Sequence, residues 1–317
     1  YSMRFTAALL KLIRLPNLFF IALTQVLFYY AVVVPVLKQV GQVPELNDLQ
    51  LSLLVAASVF IAAAGYIIND YFDINIDEVN KPRKNVVDQV ISRRWAMLLH
   101  FIFSGIGLGL SFYLSLSTNQ WSIVITNFIC IGLLFGYSAS LKRKLLSGNI
   151  LISLLTAWVI LIITSTESYY LYYTQVDNIV LEAHRKIIRI GNLYAGFAFI
   201  SSLIREAIKD MEDMEGDARY GCRTMPIVWG INTSKVYVGV WLVVLIAILV
   251  IVQFYVLQFR WWMPVTYSFV LIIAPMLYIF YKLFSATRPA DFHHLSGWIK
   301  AVMLTGIVSM IFFYFFL

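Results

Sequence analysis

The chain has 317 residues, 61% of them hydrophobic and 13% charged, with a mean hydropathy of +0.80. That composition excludes a soluble globular domain and describes a polytopic membrane protein. The formal net charge of +7 does not read as a nucleic-acid surface, because basic residues in a membrane protein mark cytoplasmic loops.

At the start of the chain, Phe5, Leu9, Leu12 and Ile13 set against Arg4, Lys11 and Arg14 predict a short amphipathic helix over residues 3–15, halted near Pro16, or a plain basic flank of the first span. No small-residue cleavage site follows, so the first span is expected to stay in the chain. Nine apolar segments come next, at residues 17–37, 49–68, 95–116, 121–139, 149–166, 190–208, 236–257, 263–284 and 298–317. Each is near the ~20 residues needed to cross about 30 Å of hydrocarbon. The expected fold class is therefore all-α: nine membrane helices in one domain, 1–317. All but five of the 24 Lys and Arg (Lys38, Arg185, Lys186, Arg189 and Arg260) fall on the side of the N-terminus. The positive-inside bias then predicts a cytoplasmic N-terminus. Residues 167–189, with Tyr169, Tyr170, Tyr172 and Tyr173 followed by Leu181–Lys186, are expected to form an aromatic belt and a surface-lying helix on the outer side. Cys130 lies in an apolar run and Cys222 in a polar loop, which argues against a disulfide framework.

The chemistry is concentrated after the second and sixth spans. Asp70, Asp73 and Asp77 follow one apolar run; Asp210, Asp213 and Asp217 repeat their spacing after another. Carboxylates at i, i+3 and i+7 share one face of a helix, and three acids on one face repel one another unless a cation joins them. All-oxygen sites of this kind suit Mg²⁺ or Ca²⁺. For any single acid or base here, solvation at a helix end is the simpler reading; the duplicated spacing is what favours a site. The first stripe runs into Lys81, Arg83 and Lys84, and the second is flanked by Arg205, Glu206, Lys209, Arg219 and Arg223. A third loop adds Tyr137, Lys142, Arg143 and Lys144. Acids for divalent cations beside bases for an oxyanion suit a metal-bridged diphosphate. The spacing excludes an EF-hand, there is no Gly-rich ATP loop, and transporter acids would sit nearer mid-membrane. An anionic head at the membrane face with a tail among helices describes a polyprenyl diphosphate. Its allylic cation would need electron-rich walls, for which Tyr66, Phe72, Tyr137 and Tyr194 are candidates. A non-catalytic transporter or binder of phosphorylated lipids is the alternative of another class.

At these residues the chain resembles the UbiA family of intramembrane prenyltransferases. Asn69-Asp70-x-x-Asp73-x-x-x-Asp77 is similar to the first family motif, Asp210-x-x-Asp213-x-x-x-Asp217 to the second, and Tyr137-Ser-x-x-Leu141-Lys142 to the loop after span four. The resemblance implies nine helices around a central cavity with a cytoplasmic cap, and Mg²⁺-dependent prenyl transfer. Asn69, Asp73, Asp77, Asp210, Asp213 and Asp217 would serve the metal, joined by Asp70 from the stripe itself. Asp73 and Asp213 would be central to catalysis, and Lys81, Lys84 and Lys142 would hold the diphosphate, with Arg205 and Tyr137 also at the substrate. Glu206 is a candidate proton acceptor for a hydroxyl. Glu206, the Lys209–Asp217 run and Thr224-Met225-Pro226 look most like the branch that joins a geranylgeranyl group to geranylgeranylglyceryl phosphate. An aromatic or chlorin-type acceptor is the alternative. The loop Arg83–Gln89 departs from the family's usual Pro-x-Pro-Ser-Gly, with Asp88 at a small polar position. An acceptor phosphate would need a second basic site, drawn from Arg205, Arg219, Arg223, His293 or His294.

Overall fold

The computed structural model describes residues 2–80, 87, 90–172 and 177–316, and it is built from helices throughout. We number them α1 (Ser2–Leu12), α2 (Leu15–Lys38), α3 (Asp48–Asn80), α4 (Arg93–Thr118), α5 (Ser122–Ala139), α6 (Ser147–Glu167), α7 (Asn178–Glu212), α8 (Met214–Arg219), α9 (Met225–Val228), α10 (Ile231–Leu257), α11 (Trp262–Ser285) and α12 (Pro289–Phe316). Nine of these, all but α1, α8 and α9, are long and apolar enough to cross a membrane, and they match the nine apolar segments one for one. Large apolar side chains such as Phe101, Phe128, Ile251 and Phe254 are exposed on their outer faces. In lipid such a surface needs no further cover.

Pro16 does not merely halt α1. The chain turns through Arg14 in the left-handed region (φ 51°), and Pro16 lies in the first turn of α2. There the missing N–H is no loss and the fixed φ is already helical. Deeper in the chain, five-residue π segments, Tyr29–Val33 and Phe269–Ile273, precede Pro35 and Pro275. The wider turn accommodates a ring that cannot hydrogen-bond the carbonyl four residues back. The carbonyl that Pro275 would have served, Leu271 O, instead accepts from Thr305 Oγ1 at 2.9 Å. With no water in hydrocarbon, such a replacement is obligatory.

The stripe-bearing helices α3 and α7 each organise one half of the molecule. α3 packs along α4 and against α5; α7 packs along α6 and against α12 and α10; α2 touches α3, α6 and α12 and so bridges the halves. At about 1.5 Å per residue, the 33 residues of α3 and the 35 of α7 are both longer than the hydrocarbon is thick. Their charged last turns therefore project past the apolar zone. The length of α7 also corrects the expectation of a surface-lying helix. Leu181–Lys186 belongs to the first turns of α7 and is continuous with the sixth span. No Pro or Gly interrupts residues 178–190, so nothing in the sequence ends a helix there. At the same end the carboxylate of Glu167, buried at the end of α6, accepts from the backbone N–H of Glu45 (2.9 Å) and Leu46 (3.2 Å), tying the 40–47 connection to the bundle.

Candidate active site

The unbroken helix α3 carries Asp70, Asp73 and Asp77 within about 60° of one another around its axis. The second stripe is built differently. α7 ends at Glu212, Asp213 takes φ −94° and ψ 6°, and α8 restarts at Met214. A single helical face for Asp210, Asp213 and Asp217 is thus corrected to the end of a long helix and a short one, joined at Asp213. The break lets the second stripe meet the first. Gly216 N–H donates to Asn80 Oδ1 at 2.9 Å, and Asn80 Nδ2 donates to the Asp213 carbonyl at 3.0 Å. A Cβ at Gly216 would collide with that amide.

Both stripes line one cavity of about 500 Å³. Asn69, Asp70, Asp73 and Asp77 enter it from α3, and Asp210, Asp213 and Asp217 from α7 and α8; Arg205, Glu206, Tyr137 and Lys142 complete the expected set. Lys81 and Lys84 lie outside the described residues, as do Arg83–Val86, Asp88 and Gln89. Lys142 is delivered by a short 3₁₀ turn, Leu141–Arg143, after α5. Gly148, at the start of α6, lets that turn pack close, since a Cβ there would come within 2.9 Å of Lys142 Cα.

Four of the acids have distinct partners. Lys142 Nζ donates to Asp73 Oδ2, which also accepts from Asn69 Nδ2 at 2.8 Å. Arg14 Nη2 binds Asp70 Oδ1 at 2.7 Å, and Asn149 Nδ2 binds Asp210 Oδ2 at 2.8 Å. Glu206 accepts from Arg205 Nη1 at 2.9 Å and pairs with Lys209 Nζ at 3.3 Å. Burial alone would lower the Lys142 ammonium, but the Asp73 carboxylate beside it outweighs this and holds it above its ordinary value. The cation is therefore permanent and available to an oxyanion.

Among the described residues no three carboxylate, imidazole or thiol groups converge tightly enough to hold a metal by themselves. The donor set still fits Mg²⁺, which is bound by one or two carboxylates plus substrate phosphate oxygens rather than by an all-protein cage. Asn69 Oδ1 points the same way: it is a buried acceptor with no donor, in a residue that lines the cavity between the two stripes.

Of the aromatic candidates, Tyr66 and Tyr137 line the cavity. Phe72 does not; its ring meets Tyr71 and Phe135 edge-on at 5.3 and 5.9 Å. Tyr194 lines a separate, smaller space. Among the basic candidates for an acceptor phosphate, only Arg205 lines the cavity. His293 pairs with Glu212 (2.8 Å) and His294 accepts from Trp298 Nε1 (3.2 Å). The structure supplies three other cations that line the same cavity: Lys11 and Arg14 around the α1–α2 corner, and Lys300 on α12. Arg14 also sits 5.1 Å over the Tyr66 ring, and Lys300 Nζ binds Asn17 Oδ1 at 2.8 Å. In the sequence these three look like ordinary flank charges. Asn80 and Asn149 carry no signal either, beyond being polar at the ends of apolar runs.

The model of the UbiA prenyltransferase family matches residues 26–301. A digeranylgeranylglyceryl phosphate synthase from Methanosphaera stadtmanae is 28% identical over 260 residues, 81% of this chain and 85% of the relative. One from Methanothermobacter thermautotrophicus is 35% identical over 185 residues, 58% of each chain, so that alignment spans under two thirds of that relative. In three dimensions the chain superposes on a UbiA homolog from Archaeoglobus fulgidus bound to GPP and Mg²⁺ with a TM-score of 0.56, covering 96% of this chain and 99% of that one at 15% identity. That likeness establishes the fold.

Proposed function

The chain belongs to the UbiA prenyltransferase family, and we propose that it transfers a geranylgeranyl group from its diphosphate to geranylgeranylglyceryl phosphate, with Mg²⁺ as cofactor. The observation that carries this reading is that one cavity is lined both by the two rows of carboxylates and by Lys11, Arg14, Lys142, Arg205 and Lys300. The synthase name borne by the relatives supports the acceptor, and the A. fulgidus homolog's ligands support the donor class and the metal. We take the whole chain as one catalytic unit, with its N-terminus and carboxylate end on the cytoplasmic side, as the distribution of Lys and Arg indicates.

In this reading Asn69, Asp70, Asp73 and Asp77 on one wall and Asp210, Asp213 and Asp217 on the other offer oxygens to Mg²⁺. When bound, Mg²⁺ would neutralise the diphosphate and favour its departure. Lys142, joined by Lys81 and Lys84 as the sequence suggests, binds the diphosphate oxygens and stabilises the charge that develops as the allylic C–O bond breaks. Tyr66 and Tyr137 present π faces to the allylic cation. The apolar remainder of the cavity excludes water from it. Arg205, whose Nε is a buried donor without a partner, joins Lys11, Arg14 and Lys300 in holding the phosphate of the acceptor. An aromatic acceptor without a phosphate would give Arg205 Nε, Lys11 and Lys300 no phosphate oxygen to bind. Glu206, ionised between Arg205 and Lys209, takes the hydroxyl proton on releasing one of them.

The test is an acceptor panel at fixed geranylgeranyl diphosphate and Mg²⁺, read by mass spectrometry of the product and by pyrophosphate release. The phosphorylated glyceryl ether should be prenylated in preference to 4-hydroxybenzoate or a chlorin. Retained lipid binding with no pyrophosphate release from any acceptor would instead make the protein a binder of phosphorylated lipids.

A further inference from the structure

Next to the main cavity lies a second, smaller chamber of about 70 Å³ between α2, α6, α7 and α12. Phe20, Ile21, Thr156, Val159 and Met303 line both spaces, so the two adjoin across a single layer of side chains. The chamber lies inward of Arg205 on α7 and of Lys300 on α12. On α7 the order from the stripe inward is Arg205, Ser201, Phe197, Tyr194; on α12 it is Lys300, Met303, Ile307, Met310. Arg205 and Phe197 are eight positions apart, about 12 Å at 1.5 Å per residue.

The chemistry of the chamber is more apolar than its residue names suggest. Ser201 Oγ donates to the Phe197 carbonyl (2.6 Å), Thr24 Oγ1 to the Phe20 carbonyl (2.7 Å), and Thr156 Oγ1 to the Ile152 carbonyl (2.8 Å). Each hydroxyl donor is spent on its own helix four residues back. Tyr194 OH is shared with Ser309 Oγ at 2.8 Å, and its ring meets Phe313 edge-on at 6.1 Å. Phe313 in turn packs against Trp261. The floor is thus a braced aromatic stack. A cavity of this size with such walls stays dry and takes hydrocarbon.

We propose that this chamber is the binding site for the far end of an isoprenoid tail, and that Phe197 and Tyr194 set how long that tail can be. The proposal deepens the prenyl-transfer reading and rests on it for the identity of the tail. The tail belongs to the donor or to the acceptor; both have the same hydrocarbon chemistry. Phe197 is the adjustable wall. Gly306 on α12 approaches it so closely that an added Cβ would overlap the ring. Gly306→Ala therefore drives the ring away from α12 and across the chamber, whereas Phe197→Ala removes the ring. The two substitutions change the space in opposite directions without touching a charged group.

The experiment uses the full chain in lipid nanodiscs with Mg²⁺. Two series are run: prenyl diphosphates of ten, twenty and twenty-five carbons at fixed acceptor, and acceptors of matching tail lengths at fixed donor. Equilibrium binding of each donor and acceptor without its co-substrate is read separately by thermal stabilisation. A hydrophobic pocket discriminates about tenfold or more per methylene-sized misfit. Phe197→Ala, or the milder Phe197→Leu if the alanine variant does not fold, should raise kcat/KM for the longest member relative to the shortest by at least about tenfold. Gly306→Ala should lower the same ratio while the shortest substrate stays near wild type. The series that shifts identifies the tail. Unchanged length preference in both series, in folded variants of both kinds, would overturn the proposal. If the wild type binds the series but transfers nothing, the transfer reading fails, and the length dependence of binding still decides the chamber.

Discussion

The two carboxylate stripes have identical spacing and different construction. Asp70, Asp73 and Asp77 ride one continuous helix and are met by cations, Arg14 on Asp70 and Lys142 on Asp73. Asp210, Asp213 and Asp217 straddle a helix break, and Asp210 is met by a neutral amide, Asn149. The first stripe is a continuous helical edge on which Asp70 and Asp73 are each paired with a cation. The second is a bent segment fastened to that edge through Asn80 and Gly216. Repeated spacing thus gives two walls of different build, one a straight helical edge and one bent against it at Asp213.

The comparison can be broken most forcefully at its centre. Asp73→Ala and Asp213→Ala should each reduce kcat by at least about a thousandfold, the scale of losing a group that stabilises developing charge, measured by pyrophosphate release at saturating substrates. Near-normal turnover in either would remove that wall from the reaction. The fastening comes next. Asn80→Leu leaves the Gly216 N–H and the Asp213 carbonyl without these partners, at a cost of about 1–3 kcal/mol, and should lower both the unfolding temperature and turnover. Gly216→Ala should reproduce the effect, because its Cβ displaces the same amide; discordance between the two would mean that the contact does not align the stripes. A finer probe is Asn149→Leu, which releases Asp210. The Mg²⁺ concentration for half-maximal activity should rise about tenfold, as for loss of a group that orients a metal ligand, with kcat recovered at high Mg²⁺. Smallest of all, Arg14→Gln removes a pair whose arginine is 35% exposed. A pair in such a setting is worth about 0–1 kcal/mol, so the expected change is at most a few-fold in acceptor KM.

Much of this was legible from residue order. Nine apolar runs of membrane length give nine helices because hydrocarbon leaves the backbone no other way to satisfy its hydrogen bonds. The stripes stand out because period-3.6 spacing is written along the chain. The surface-lying helix expected over Leu181–Lys186 failed for a related reason: charge marks where a helix leaves hydrocarbon, not whether it bends there. The break at Asp213 has no local signature, since it answers to Asn80, more than a hundred residues earlier. Phe72 and Tyr194 show the same limit, for an aromatic near a charged turn can face the cavity or a neighbouring helix equally well.

What the sequence determined alone is therefore the membrane class, the number of spans, the two acid rows and the family likeness, all properties of local composition and periodicity. Only the tertiary structure decided that Arg14, Lys11 and Lys300 share a cavity with both stripes, that Asn80 fastens them, and that a smaller chamber lined by Phe197 and Tyr194 adjoins that cavity. Periodicity states which residues share a face of one helix. Which helix that face meets depends on the simultaneous packing of all the others.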